Sequence, residues 1–391
     1  MSLKKITLIV VIILLGVGLF RYSQPIPDVK AVATLAAAKV GSTVDLPWPA
    51  YGQGALAAQD YGILQTHGEQ KAVPMASVAK VVTALTVLKQ KPLAVGQQGP
   101  NITITSDDVA IYNSYYTLGG SVVKVEIGEQ LTELQALQAL LIPSANNIAD
   151  TLVIWAFGSM DSYVSFANKM TADMHLGSTK IADASGLSPN SVSSAQDLVS
   201  LGLAALQSPV IADVVSQQTA ELPVAGTVNN VNWLLGRDGA IGIKTGNTTE
   251  AGGCFLFAAK QSINGQGVTL VGALMQAPDL NTAVIDARTL IVASDSGFES
   301  IKVISKGQAV GTYKTPWGTS VEAVAGQDLS ILAWRDGQFQ ANAKLTNLKT
   351  PANTGMSVGS ILATSGQKTV SVPAVLKSNL SGPSWTWRIF R

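Results

Sequence analysis

The chain has 391 residues, 47% of them apolar and 13% charged, with a net charge of +1. So apolar a composition excludes global disorder, and so neutral a charge leaves no nucleic-acid footprint on the chain as a whole. One cysteine, Cys254, and two histidines, His67 and His175, exclude intramolecular disulfides, a cysteine zinc cage and a histidine-rich metal site.

The first predicted element is the apolar run Ile6 to Phe20, flanked by Lys4, Lys5 and Arg21. A basic flank and an unbroken apolar stretch make residues 1–22 a signal-anchor or a signal peptide. The nearest small-x-small cleavage site, Ala31-Val32-Ala33, lies well beyond Phe20, which favours an uncleaved single-pass anchor at the cell membrane over secretion after cleavage. In both cases the bulk of the chain works outside the cytoplasm. Residues 23–48, with Pro25, Pro27, Pro47 and an alanine-rich run, read as a linker carrying at most one short helix.

Residues 49–300 mix two periodicities. The stretches 76–90 and 130–156 are helix-rich, whereas 253–259 and 267–275 are apolar runs of strand length. From 306 to 391 the pattern changes to short alternating runs separated by Gly, Pro and Asn, which reads as a small β-rich domain. Residues 301–391 carry ten Lys/Arg against three Asp/Glu. A basic β module on an exported protein suggests an anionic neighbour such as a membrane surface or a wall polymer.

The chemistry concentrates in three places. In Pro74-Met75-Ala76-Ser77-Val78-Ala79-Lys80 to Lys89, the polar residues Ser77, Lys80, Thr83, Thr86 and Lys89 recur every third position in an otherwise Ala/Val/Leu segment. On a helix this places Ser77 and Lys80 on one face, one turn apart. A serine hydroxyl needs a base within hydrogen-bond reach, and a lysine serves only if burial or a nearby cation lowers its pKa. Ser-x-x-Lys also occurs at Ser2/Lys5, Ser121/Lys124 and Ser365/Lys368. Of these, Ser121/Lys124 sits in a strand-like run, where i and i+3 point to opposite faces. The second place is Pro143-Ser144-Ala145-Asn146, after an apolar run. The third is Lys244-Thr245-Gly246, the only such triplet in the chain, leading through Asn247 to Gly252-Gly253. A glycine there lets a substrate backbone approach a strand edge.

Ser-x-x-Lys, Ser-x-Asn and Lys-Thr-Gly in this order are the motif set of β-lactamases and penicillin-binding proteins. With them the chain resembles the low-molecular-mass penicillin-binding proteins, specifically the serine D-alanyl-D-alanine carboxypeptidases. The likeness continues in Asp183-Ala184-Ser185-Gly186-Leu187, in Asn230 to Leu235, and in Leu348 to Pro351 of the β-rich domain. It implies an α+β fold: a penicillin-recognising catalytic domain, with an antiparallel sheet packed by helices and a helical lobe, followed by a small all-β domain. It implies that Ser77 is the acylated nucleophile, Lys80 its base and Ser144 the relay of a proton to the leaving amine. Asn146 holds the peptide and Lys80, Lys244 and Thr245 bind the terminal carboxylate, and Gly246 and Asn247 complete the substrate strand. The backbone N–H groups of Ser77 and Asn247 form the oxyanion hole. The implied partners are a peptidoglycan stem peptide, β-lactams as acylating inhibitors and the membrane through the amino-terminal helix. No nucleic acid, metal or organic cofactor is implied.

The implied reaction removes the terminal D-alanine from stem pentapeptides. The alternatives are a non-catalytic wall-binding protein on the same fold, and a D,D-endopeptidase or β-lactamase-type hydrolase. A class A β-lactamase deacylates with a glutamate-activated water, and no glutamate occurs here from residue 134 to residue 220. The two histidines read as packing or surface residues rather than as a triad base.

Overall fold

A computed structural model describes residues 2–35 and 43–391. The chain divides into two compact units: Val44–Phe298, and the amino-terminal segment joined to Glu299–Arg391.

The larger unit is built on a five-stranded antiparallel sheet. Its strands run, from one edge to the other, Ala240–Thr248, Gly252–Ile263, Gln266–Ala277, Gln53–Ala58 and Gly62–His67. Gly253 through Ala259 is buried without a break, because helices cover both faces and the usual in-out alternation disappears. Cys254, Leu256 and Ala258 join Val271, Ala273 and Met275 in the core beneath helix Ala195–Gln207. That helix comes close at Gly202, where an added Cβ would stand 2.8–3.1 Å from Val271, Leu256 and Ile243. The helical lobe surrounds the buried helix Lys80–Gln90 with Glu133–Leu141, Asn146–Phe157 and Met160–Asp173.

Two expected long helices are broken at the Ser-x-x-Lys and Ser-x-Asn motifs. Residues 76–79 form a 3₁₀ turn before the α-helix begins at Lys80. The helix ending at Leu141 and the one starting at Asn146 are separated by Ile142–Ala145, in which Ser144 takes a left-handed backbone (φ 68°). Pro143 supplies no N–H to continue a helix. The strand-like run at Ser121 and Lys124 pairs with no strand among the described residues. Instead Val123 exchanges backbone hydrogen bonds with the Asn147 side-chain amide (3.1 and 3.0 Å).

In the second unit six strands form one sheet in the order Ala31–Ala33, Ala309–Lys314, Ser320–Ala325, Lys368–Leu376, Ser357–Ser365 and Phe339–Leu345. Its core includes Val310, Tyr313, Ala323, Ile361 and Leu376. Part of the expected linker therefore belongs to this fold: Ala31–Ala33 pairs with Gly311–Tyr313 as an edge strand. Alanine has little strand preference of its own, so only the neighbouring strand makes it one. Residues 36–42 of the expected linker, which hold part of its alanine-rich run, lie outside the described residues. The fold is mixed helix and sheet with an all-β region toward the carboxyl end, apart from the short helix Trp385–Phe390.

Helix Leu3–Ser23 has 21 residues, none buried, and is long and apolar enough to cross a membrane. Trp385–Phe390 lies against it. Arg391 donates to the carbonyls of Arg21 (3.2 Å), Gln24 (2.9 Å) and Pro25 (3.2 Å), and Arg388 donates to that of Tyr22. The last carbonyls of a helix have no partner within it, and here two arginines from a distant segment supply one.

Candidate active site

The turn Ala76–Ala79 explains the spacing of its motif. In a 3₁₀ helix side chains at i and i+3 eclipse, and Lys80 Nζ reaches Ser77 Oγ at 2.8 Å. Lys80 is wholly buried and donates also to Asn146 Oδ1 (2.7 Å) and to the Ser185 carbonyl (2.8 Å). Burial holds its pKa well below the usual lysine value. The Lys244 charge pushes the same way, while Asp183 and Asp150 oppose it. A neutral amine has two N–H bonds and one lone pair. The two carbonyl oxygens accept only, and the hydroxyl can either donate or accept. The three partners of Lys80 fit an ammonium donating to all three, and they equally fit an unprotonated amine that accepts from the Ser77 hydroxyl.

Two glycines let other segments close on this turn. A Cβ on Gly186 (φ +76°) would stand 1.9 Å from the Ala76 carbonyl oxygen, and one on Gly246 would stand 2.9 Å from the Ser77 nitrogen. Gly246 therefore lies directly against the turn that carries Ser77. Ala76 holds a positive φ of 48°, a conformation costly for a residue with a side chain.

The strand Ala240–Thr248 is an outer strand of the sheet, paired only with Gly252–Ala259 among the described strands. Lys244 and Thr245 on it are buried, 2% and 4% exposed. Lys244 Nζ donates to the Thr245 carbonyl (2.9 Å), and burial pushes its pKa down to about 7. Ser144 is 5% exposed, and its hydroxyl has no hydrogen-bond partner among the described residues. Asn146 turns its carbonyl oxygen to Lys80, and its backbone N–H donates to the Ser121 carbonyl (2.7 Å). Direct bonds thus join Ser77, Lys80 and Asn146, and backbone proximity adds Gly246. The hydrogen bonds do not link Ser144, Lys244, Thr245 or Asn247 to Ser77.

Sequence reasoning assigned no role to the loop that fixes Lys80 from the other side. Asp183 accepts from Ser185 Oγ (2.7 Å), Leu187 N (2.9 Å) and Ser191 Oγ (2.5 Å), which presents the Ser185 carbonyl to Lys80. Its signal was an aspartate two residues before a serine and three before a glycine, the composition of an Asx turn. Behind Lys80, Tyr115 donates to Asp150 (2.9 Å), and burial raises the Asp150 pKa to about 6.

A wholly buried lysine at 2.8 Å from a serine hydroxyl, its pKa lowered by burial, is the arrangement of a serine-dependent hydrolase. Residues 57–278 match the family of D-alanyl-D-alanine carboxypeptidases, Peptidase_S11. The chain is 31% identical over 220 residues to the D-alanyl-D-alanine carboxypeptidase DacB2 of Mycobacterium tuberculosis, covering 54% of this chain and 70% of that one. It is 23% identical over 334 residues to DacF of Bacillus subtilis, covering 81% and 82%. The crystal structure of penicillin-binding protein 5 from Haemophilus influenzae superposes with a TM-score of 0.62 at 20% identity, over 87% of this chain and all of that one. The chain belongs to the Peptidase_S11 family, the serine-type D-alanyl-D-alanine carboxypeptidases.

Proposed function

We propose that the chain removes the terminal D-alanine from peptidoglycan stem pentapeptides through an acyl-enzyme on Ser77. The observation that carries this is the 2.8 Å contact between Ser77 Oγ and a wholly buried Lys80. Lys80 takes the Ser77 proton as Oγ attacks the penultimate D-alanyl carbonyl. The N–H groups of Ser77 and Asn247 receive the developing oxyanion. Lys244 and Thr245 hold the terminal carboxylate, with Gly246 completing the strand, and Ser144 passes the proton to the departing D-alanine. Asn146 orients Lys80 and the peptide. Water then cleaves the ester. A β-lactam enters the same path and stays on Ser77.

The test is the intact mass of the detergent-solubilised full chain after incubation with benzylpenicillin, beside Ser77→Ala. One persistent adduct on the native chain and none on the variant is expected, together with D-alanine release from a pentapeptide by the native chain alone. A folded native chain that takes no adduct would make the motifs vestigial and favour a wall-binding role.

We further infer that Leu3–Ser23 is kept as a membrane anchor with the catalytic unit outside the cytoplasm. The arginine bonds from Arg388 and Arg391 to Arg21, Tyr22, Gln24 and Pro25 support it, since cleavage after Ala33 would discard their partners. Membrane-extracted chain should keep its amino-terminal residues by mass, whereas a chain starting near residue 34 would overturn this.

A further inference from the structure

The short helix Trp385–Phe390 and the second half of helix Leu3–Ser23 belong to one unit and enclose a groove of about 840 Å³. The helices meet where glycine leaves room: a Cβ on Gly18 would stand 3.7 Å from Ile389 Cγ2. On the long helix the groove runs from Val11 to Tyr22, and on the short one Trp385, Ile389 and Phe390 line it. Arg21 is the one charged side chain in the lining. Trp385 and Phe390 are 65% and 77% exposed. At the Tyr22 end of the groove three arginines gather. Arg388 stacks on the Tyr22 ring (4.0 Å), Arg391 on that of Trp387 (5.3 Å), and Arg21 donates to the Arg391 main-chain oxygen (3.1 Å). No acidic side chain pairs with any of them among the described residues. Arg21 and Arg388 each use one nitrogen on a main-chain oxygen, and a guanidinium carries more donors than that. Arg388 Nε is buried without a hydrogen-bond partner, which is costly for a charged group. Trp317 packs edge-on against Trp387 (5.2 Å), so tryptophan and tyrosine gather at one level, the composition of a membrane–water interface.

We propose that this groove binds one anionic phospholipid of the outer leaflet, with an acyl chain along Val11 to Leu19 and the phosphate among Arg21, Arg388 and Arg391. The inference rests on the membrane-anchor reading above, in which Lys4 and Lys5 stay inside and the Tyr22 end emerges outside. At ~1.5 Å per residue the stretch from Val11 to Tyr22 rises about 16 Å, close to half of a hydrocarbon core of ~30 Å. The groove therefore spans one leaflet and opens on the arginines at headgroup depth. A phosphate diester offers oxygens to the forked donors of an arginine and gives Arg388 Nε the acceptor it lacks. A free phosphate would leave the apolar groove empty. A second copy of this chain, inserted the same way, would bring its own arginines to the same depth, where like charges repel. A lipid supplies the negative charge and the apolar chain together, and once bound it ties the short helix to the anchor.

The experiment reconstitutes the full chain in vesicles of phosphatidylglycerol and phosphatidylcholine in equal amounts, extracts it in mild detergent and counts the retained lipid by native mass spectrometry. Native chain should keep one lipid, phosphatidylglycerol over phosphatidylcholine by at least about tenfold. Arg388→Gln should lower that ratio about fivefold, the scale of one arginine beside anionic headgroups. Leu15→Trp, which fills the groove with another apolar side chain, should lose the retained lipid of either kind. Lys4→Gln combined with Lys5→Gln, at the other end of the span, should leave the ratio unchanged. Every variant should still sediment with the vesicles and keep the native circular dichroism, which shows that it inserts and folds. A native chain that sediments with the vesicles but keeps no lipid, keeps both lipids alike, or leaves the detergent as a lipid-free dimer would overturn this inference alone. So would an unchanged ratio in Arg388→Gln, an unchanged lipid count in Leu15→Trp, or a ratio that falls as far in the lysine variant, which would report the charge of the span rather than a site. A native chain that does not sediment with the vesicles, or that starts near residue 34, would overturn the anchor reading and this one with it.

Discussion

In the proposed reaction Lys80 is the base, and its charge is set by burial and three neighbouring groups. Burial and Lys244 favour the neutral amine; Asp183 and Asp150 favour the ammonium. Asp150 touches Tyr115 rather than Ser77, so it can be changed without entering the cleft. Asp150→Asn keeps the shape and the Tyr115 partner but removes a negative charge that stabilises the protonated lysine. Lys80 then loses its proton at lower pH. The acid limb of the pH profile for benzylpenicillin acylation should move to lower pH in Asp150→Asn, with the plateau rate within a few-fold of native. An unmoved limb, or one moved to higher pH, would mean that Lys80 does not set it.

At the scale of elements, the site is made where three segments are forced together. The 3₁₀ turn Ala76–Ala79, the Asp183–Leu187 loop and the strand Ala240–Thr248 meet at glycines that leave no room for a methyl group. Gly186→Ala puts a Cβ against the Ala76 carbonyl oxygen and also strains a positive φ. The loop must retreat and take the Ser185 carbonyl away from Lys80. A destabilisation of about 2–4 kcal/mol, from backbone strain plus the clash, is expected in denaturant unfolding. Penicillin acylation should slow at least tenfold even where the variant remains folded. Acylation at the native rate would show that the Ser185 carbonyl is dispensable. By contrast Gly62→Ala, also at positive φ but with nothing within 4 Å of the added atom, should cost only the strain of its turn, about 1 kcal/mol, and leave acylation unchanged.

Across the whole molecule, each of the two units has a core of its own. One lies under the five-stranded sheet and the helical lobe; the other fills the six-stranded unit. Separate cores predict two thermal transitions for the solubilised chain. A covalent acyl group on Ser77 stabilises only the unit that holds it, by adding contacts present in the folded state alone. Calorimetry before and after benzylpenicillin should therefore raise one transition and leave the other in place. A single transition, or equal shifts in both, would show that the units unfold together.

Much of this was legible along the chain, and the reason is local. The apolar run before Arg21, the Ser77–Lys80 spacing and the single Lys-Thr-Gly are short-range patterns, each read from residues a few positions apart. Their order pointed to the family and to the mixed fold with a β-rich carboxyl-terminal region. Contacts between distant residues were not legible. Ala31–Ala33 became a strand only because Gly311–Tyr313 lies beside it. The Ser185 carbonyl reached Lys80 across 105 residues of sequence, and Arg391 reached the end of the first helix across 370. The sequence by itself determined which groups could do the chemistry, because a hydroxyl, an amine and an amide carry their reactivity wherever they lie. Tertiary structure alone decided the protonation of Lys80. That depends on water being excluded from around it and on Lys244, Asp183 and Asp150 converging from separate elements, and neither distance nor solvation is written in the order of residues.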